Sequence, residues 1–384
     1  MSKNKKLVPK RRFKEFQNSD AWEQRELGEV VQITMGQSPL GSNYTENPSD
    51  YILVQGNADM KNGKVFPRIW TTQVTKTAEP DDIILSVRAP VGDVGKTNYN
   101  VVLGRGVAGI KGNEFIYQLL SKMKSDSYWG KYSTGSTFDS INSNDLKEAN
   151  IFIPSTNEQV QIGSFFRNLD QTIAFQQRKL EKMKAMKSAY LSEMFPAEGE
   201  RKPKRRFPGF TDDWEQCELG NVADRFDNFR IPITAKDRTL GNTPYYGANG
   251  IQDYVEGFTH DGEFVLLAED GANDLANYPV QYVNGKIWVN NHAHVIAGKT
   301  DVLDNKFLMN TLKKINIEPY LVGGGRAKLN SDVMMRLSLK ITSIDEQIKI
   351  GEFFSNLDQT IAFQQQKLEK LQNIKKAYLN EMFI

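Results

Sequence analysis

The chain has 384 residues, enough for two or three domains at roughly 150 residues each. With 39% hydrophobic and 25% charged residues and a mean hydropathy of −0.52, it is neither disordered throughout nor a membrane protein, and no apolar run reaches the roughly 18 residues of a spanning helix. The 49 Lys and Arg against 47 Asp and Glu leave a net charge of +2, so no global basic footprint for nucleic acid exists.

Residues 1–20 form a basic tail without an apolar stretch or a small-residue cleavage site, which leads us to expect a cytoplasmic protein. From 21 to 154 a first domain is expected. Its β-branched runs, YILVQG, KVFPRIWTTQVT, DDIILSVRAPVGDVGKT and NVVLGRGVAGI, read as strands between turns. A helix around Glu114–Ser125 and a polar turn over Ser133–Leu146 follow. Residues 155–195 predict a long helix, which Pro196 ends, and 196–212 a polar linker. The second domain, 213–342, repeats the plan with EFVLLAEDG, PVQYVNGKIWVNN and HAHVIAG as strands, a helix over Asn305–Lys314 and a turn over Val322–Met334. Residues 343–384 predict a second long helix.

The two long helices are near copies: from Glu158–Phe195 and Glu346–Phe383, 27 of 38 aligned positions are identical without a gap. A second match sets Arg11–Val30 beside Arg205–Val222, so each half runs as RRF tract, WEQxELG, a long middle, then the EQ helix. The middles do not align. What the shared ends contact should be the same twice, and what the middles contact should differ.

Each helix carries an apolar seam at alternating spacings of four and three. In the first it runs through Ile162, Phe166, Leu169, Ile173, Leu180, Met183 and Tyr190, interrupted by Gln176 and Lys187. In the second it runs through Ile350, Phe354, Leu357, Ile361, Leu368, Leu371 and Tyr378, interrupted by Gln364 and Lys375. At 1.5 Å per residue such a helix is about 57 Å long. Two arrangements suit it: each helix packed on its own domain, or the two paired antiparallel as a coiled coil with pseudo-two-fold symmetry. We expect the second.

Catalytic patterns are weak. The two GKT tripeptides, at Gly95–Thr97 and Gly298–Thr300, lack the phosphate-loop glycine, since Pro90 and Ala293 stand there, and both are expected to be turns. Gly323, Gly324 and Gly325 have no strand-loop-helix setting for a cofactor. His292 and His294 alternate on a presumed strand but have no clear third ligand, so no metal is expected. Cys217 reads as a half-buried small hydrophobe. Neither an Asn-Pro-Pro-aromatic or Asp-Pro-Pro-aromatic motif nor a Walker A sequence occurs, so no catalytic residue is expected in this chain.

Two unlike middles, each introduced by WEQxELG and followed by EQxxIGxFFxNLDQTI, closely resemble the specificity subunit of type I restriction-modification systems, over essentially the whole chain. The resemblance implies an α+β architecture of two mixed α/β target-recognition domains joined by the antiparallel helices. The middles would read the two halves of a bipartite double-stranded DNA target. The helix pair would be a ruler spanning about 17 base pairs at 3.4 Å each. Two modification (methyltransferase) subunits, carrying S-adenosylmethionine and methylating adenine N6, would dock on the shared helices. Restriction subunits using ATP and Mg2+ would add translocation and cleavage. This chain would hold no cofactor itself.

Arginine suits guanine edges, and Asn or Gln suits adenine. Candidate base contacts are therefore Gln37, Ser38, Arg68, Arg88, Arg105 and Thr137 in the first domain, with Tyr246, Asn249, Asn290, Asn291, His292 and Arg326 in the second. The basic tracts Lys10–Arg12 and Arg201–Arg206 read as solvated linkers or as phosphate clamps. A self-sufficient DNA-modifying enzyme and a bivalent protein scaffold that ignores DNA stand as alternatives.

Overall fold

A computed structural model of the chain describes residues 7–132, 140–323 and 327–384. Two compact units divide it: residues 1–177 with 367–384, and residues 178–366. Each is mixed α/β, and each takes part of both long helices, Thr156–Glu193 and Ile344–Met382.

In the first unit Glu23–Glu26 pairs antiparallel with Asn150–Ile153, closing the domain at its base. Above it stand two sheets. The six-stranded one runs Gln32–Met35, Val107–Lys111, Ile83–Ser86, Val94–Lys96, Lys64–Val65, Met60–Lys61 in spatial order, and the five-stranded one centres on Tyr51–Val54 and Val101–Leu103. Strand Ile83–Ser86 is buried along its whole length, because successive side chains serve opposite faces. Ile83 and Leu85 join a core with Phe115, Leu120 and Phe166, while Ile84 joins Val54, Leu103 and Val107. The helix Glu114–Ser125 begins where Asn113 Oδ1 accepts the Ile116 N–H at 3.1 Å.

The second unit repeats the base with Glu215–Glu218 against Ser338–Ile341, but carries a single six-stranded sheet. Its spatial order is Ala223–Arg225, Ala293–Gly298, His260–Ala268, Val280–Val289, Leu240–Gly247, Gly250–Val255. The helix Asn305–Lys314 is capped by Asp304, whose Oδ1 accepts the Phe307 N–H at 2.7 Å. Two expectations change here. Gly95 and Gly298 lie within strands Val94–Lys96 and Ala293–Gly298 instead of turns, because they pair with Ile84 and Ala223. His292 precedes strand Ala293–Gly298, so it does not share a strand face with His294.

Within each unit the long helices run antiparallel. In the first, Phe165 meets Tyr378 edge-on at 5.1 Å and Lys375 Nζ lies 2.5 Å from Asp170. In the second, Tyr190 meets Phe353 at 5.3 Å and Lys187 pairs with Asp358. The lysine that interrupts each apolar seam thus reaches the aspartate of LDQTI on the opposite helix. Ile162, Phe166, Leu180, Ile350, Phe354 and Leu368 are buried, and the other eight seam residues, Leu169, Ile173, Met183, Tyr190, Leu357, Ile361, Leu371 and Tyr378, are half-buried. Gln176 and Gln364 are buried too, each with a side-chain carbonyl oxygen that meets no donor among the described residues.

Candidate nucleic-acid interface

The repeated sequence builds one clamp twice. Arg12 is half-buried and places Nε and Nη2 on the two carboxylate oxygens of buried Glu158, at 2.7 and 2.6 Å. Arg206 does the same to Glu346, at 2.7 Å for both. These hydrogen bonds, against the cost of burial, raise both guanidinium pKa values above their ordinary range. Neither arginine is a solvated linker or a phosphate clamp, the two roles expected of the basic tracts, because each is spent on a buried carboxylate. The neighbouring arginines take the end of the other helix: Arg11 Nε lies 2.5 Å from Glu381, and Arg205 Nε 2.7 Å from Glu193.

The glutamine after each glutamate serves the short helix. Gln159 Oε1 accepts from Asn113 at 2.9 Å, and Gln347 Oε1 accepts the Asp304 N–H at 3.1 Å. The glycine of EQxxIG lets that helix approach: a Cβ at Gly163 would stand 2.8 Å from Glu114 Cβ, and one at Gly351 would stand 2.6 Å from Asp304 Oδ1. The frame therefore accounts for most of the repeated residues. It does not account for four apolar side chains that point outward at equivalent positions. Val160 and Ile348 are 59% and 40% exposed, and Phe175 and Phe363 are 57% and 62% exposed.

In the first unit five of the predicted contacts gather round one turn. The Arg105 N–H donates to Ser38 Oγ at 3.1 Å, and the Gln37 N–H to the Leu103 carbonyl at 2.8 Å. The Val87 N–H donates to the Gly106 carbonyl at 2.9 Å, which brings Arg88 beside the same turn. Buried Asp59 accepts the Gln55 N–H at 2.8 Å and holds Arg68 Nε at 3.3 Å. Packing fixes the turn: a Cβ at Gly36 would stand 2.1 Å from the Gly104 carbonyl oxygen, and one at Gly106 2.0 Å from that of Gln55. Gln37, Arg68, Arg88 and Arg105 are exposed on this support. Thr137, the sixth, lies outside the described residues.

In the second unit Asn290 is buried and its amide shapes a turn, Oδ1 accepting the His292 N–H at 2.8 Å. It holds the turn that carries Asn291 and His292. Asn249 ties its hairpin to the next loop, donating to Gly271 O and accepting from the Asn273 N–H, both at 2.9 Å. Tyr246, half-buried, accepts the Asn290 N–H on its carbonyl. Asn291 is exposed, and His292 Nδ1 lies 2.5 Å from Asp270 Oδ1. Arg326 lies outside the described residues.

Below this surface sits a network that the sequence did not disclose. His294 Nδ1 lies 2.7 Å from Asp227 Oδ2 and Nε2 lies 2.9 Å from the Leu329 carbonyl, with Glu269 3.7 Å away. The three side chains have the donor set of a metal site. However, Arg230 Nη1 at 2.6 Å and Lys328 Nζ at 2.8 Å already neutralise Glu269, and both Asp227 oxygens are hydrogen-bonded. The chemistry is that of a closed ion-pair network. Burial works against the charges on Asp227 and Glu269, yet these partners outweigh it and hold both carboxyls below their ordinary pKa values.

A family model described as the type I restriction modification DNA specificity domain matches residues 19–185 and again 211–373. The chain belongs to this family. A putative type I restriction enzyme specificity subunit from Haemophilus influenzae is 48% identical over 139 residues, 36% of each chain. The putative MjaX specificity subunit from Methanocaldococcus jannaschii is 33% identical over 205 residues, 49% of this chain and 48% of that one. The chain thus spans between a third and a half of the length of these relatives. The crystal structure of the type I restriction-modification S subunit from M. genitalium matches with a TM-score of 0.74 over 98% of this chain and 99% of that one, at 17% identity, a likeness of fold. This specificity protein therefore carries two recognition-type domains, and none of its described helices is long and apolar enough to cross a membrane.

Proposed function

We infer that this specificity protein is the non-catalytic DNA-reading subunit of a type I restriction-modification complex in the cytoplasm. Its two domains read the two halves of a bipartite duplex target, and two copies of one modification subunit dock on its repeated helices. The observation that carries this reading is one frame built twice around unlike sheets: two sheets in the first unit, a single six-stranded sheet in the second. Identical frames answer to identical partners, and unlike sheets to unlike base sequences. S-adenosylmethionine, ATP and Mg2+ belong to the modification and restriction subunits.

The test is the methylome of cells expressing the chain with its modification subunit. A bipartite adenine-methylated motif is expected, and exchanging residues 31–154 for another recognition domain should rewrite one half of it. A change in both halves, or methyl transfer by the purified chain alone, would sink this reading.

A further inference from the structure

We propose that Arg88 and Arg105 read guanine, so that the half-site contacted by the first unit carries G·C pairs where these two side chains meet it. The inference rests on the DNA-reading function above and deepens it. Between residues 31 and 111 the chain has three arginines, Arg68, Arg88 and Arg105. Arg68 is held by Asp59, but among the described residues Arg88 and Arg105 are exposed and take no carboxylate partner. The sheet of the second unit differs. Its arginines between 223 and 298 are all paired: Arg225 near Asp227 and Asp332, Arg230 with Glu269, Arg238 with Asp253.

Guanidinium groups with no carboxylate partner among the described residues, on a rigid support, suit a ligand with two adjacent acceptors. The backbone fixes both. Arg105 stands on a turn whose flanking glycines are buried against residues 36 and 55, and Arg88 is held between the Val87–Gly106 bond and a bridge to Ser140. Guanine O6 and N7 in the major groove accept such a fork, as phosphate oxygens also do. The repeat separates the two ligands. Phosphate is present in both half-sites, so a phosphate contact would be kept in both units. These arginines lie in the part of the first unit that has no counterpart in the second, where the bases are what differ.

The experiment is methylome sequencing with Arg88→Ala, Arg105→Ala and the corresponding Lys variants in the full chain, co-expressed with its modification subunit. Each Ala variant should relax one G·C position of the same half-motif, with discrimination there falling roughly 5- to 150-fold, while the other half stays intact. The Lys variants should keep binding but lose part of the discrimination, because the point charge lacks the fork. An intact second half-motif shows that the variants fold. A uniform loss of methylation with no position relaxed, together with a salt dependence of binding reduced by about one ion, would identify phosphate contacts and overturn the assignment. Relaxation at A·T positions would overturn it too. Absence of any bipartite motif with the unaltered chain would instead overturn the DNA-reading function itself.

Discussion

Arg12 and Glu158 show how one repeated residue pair can decide whether a unit holds together. The pair is bidentate and its carboxylate is buried, so removing the arginine strands the Glu158 charge without water. Arg12→Ala should destabilise the first unit by about 3–5 kcal/mol, and Arg206→Ala should do the same to the second. Replacing both partners, as in Arg12→Met with Glu158→Leu, should recover most of the loss in urea denaturation. Equal losses for single and double variants would mean that the pair's geometry, not its charge, is what matters. The sequence already marked these residues, because RRF and EQ recur in both halves. What it withheld was that they meet, across 146 residues in one copy and 140 in the other.

Asp227 and Glu269 carry a consequence for pH. Both carboxyls are depressed in the folded state, so their stabilising effect is fully present above the unfolded values of about 3.9 and 4.3 and is lost as pH falls through the lower folded values. Stability of the second unit should be level from pH 7 to about 5 and then drop below pH 4. Asp227→Asn should lower stability at pH 7 and flatten the acid limb. A melting series at fixed ionic strength checks it; an acid limb unchanged by the substitution would count against the network. Here the sequence was least legible. His294 was visible, but its partners come from a 3-10 turn at Asp227–Phe229 and from Glu269, just after strand His260–Ala268, and no local spacing joins them.

At the scale of elements, the short helices over Glu114–Ser125 and Asn305–Lys314 were legible, since each has an Asx cap and an apolar face. The sheets were legible only as strands. Their order depends on long-range pairings such as Gln32–Met35 with Val107–Lys111, which periodicity does not encode. The long helices add a surface question, because Phe175 and Phe363 stay exposed at equivalent positions although nothing in the frame needs them. If two identical partners use them, Phe175→Glu and Phe363→Glu should each remove one modification subunit from the complex, and the pair should remove both. Native mass spectrometry would show two, one or none bound. Retention of both subunits by the double variant would place docking elsewhere.

For the whole molecule, the contrast between the two clamps is informative. In the second unit the helix end and the RRF tract are successive parts of the chain: the Arg205 N–H donates to the Glu193 carbonyl at 2.8 Å, with Arg205 over Tyr190 at 5.2 Å. In the first unit the same contacts join opposite ends of the sequence: the Arg11 N–H donates to the Glu381 carbonyl at 2.8 Å, and Arg11 stands over Tyr378 at 5.1 Å. Trp22 packs on Phe383 as Trp214 packs on Phe195. The linker is thus not what places the clamp; the ion pairs, stacked rings and backbone bond do. A chain opened beside Pro203, with Ile384 joined to Lys10 through a copy of residues 197–203, should fold with both clamps formed. Because the new closure reproduces a connection the protein already uses, the cost should be confined to the fraying of Lys204 and its neighbours, about 1 kcal/mol or less. Circular dichroism melting and the methylated motif should both match the parent. Loss of one half of the motif alone would show that the linker holds the second clamp in a way that the first clamp does without.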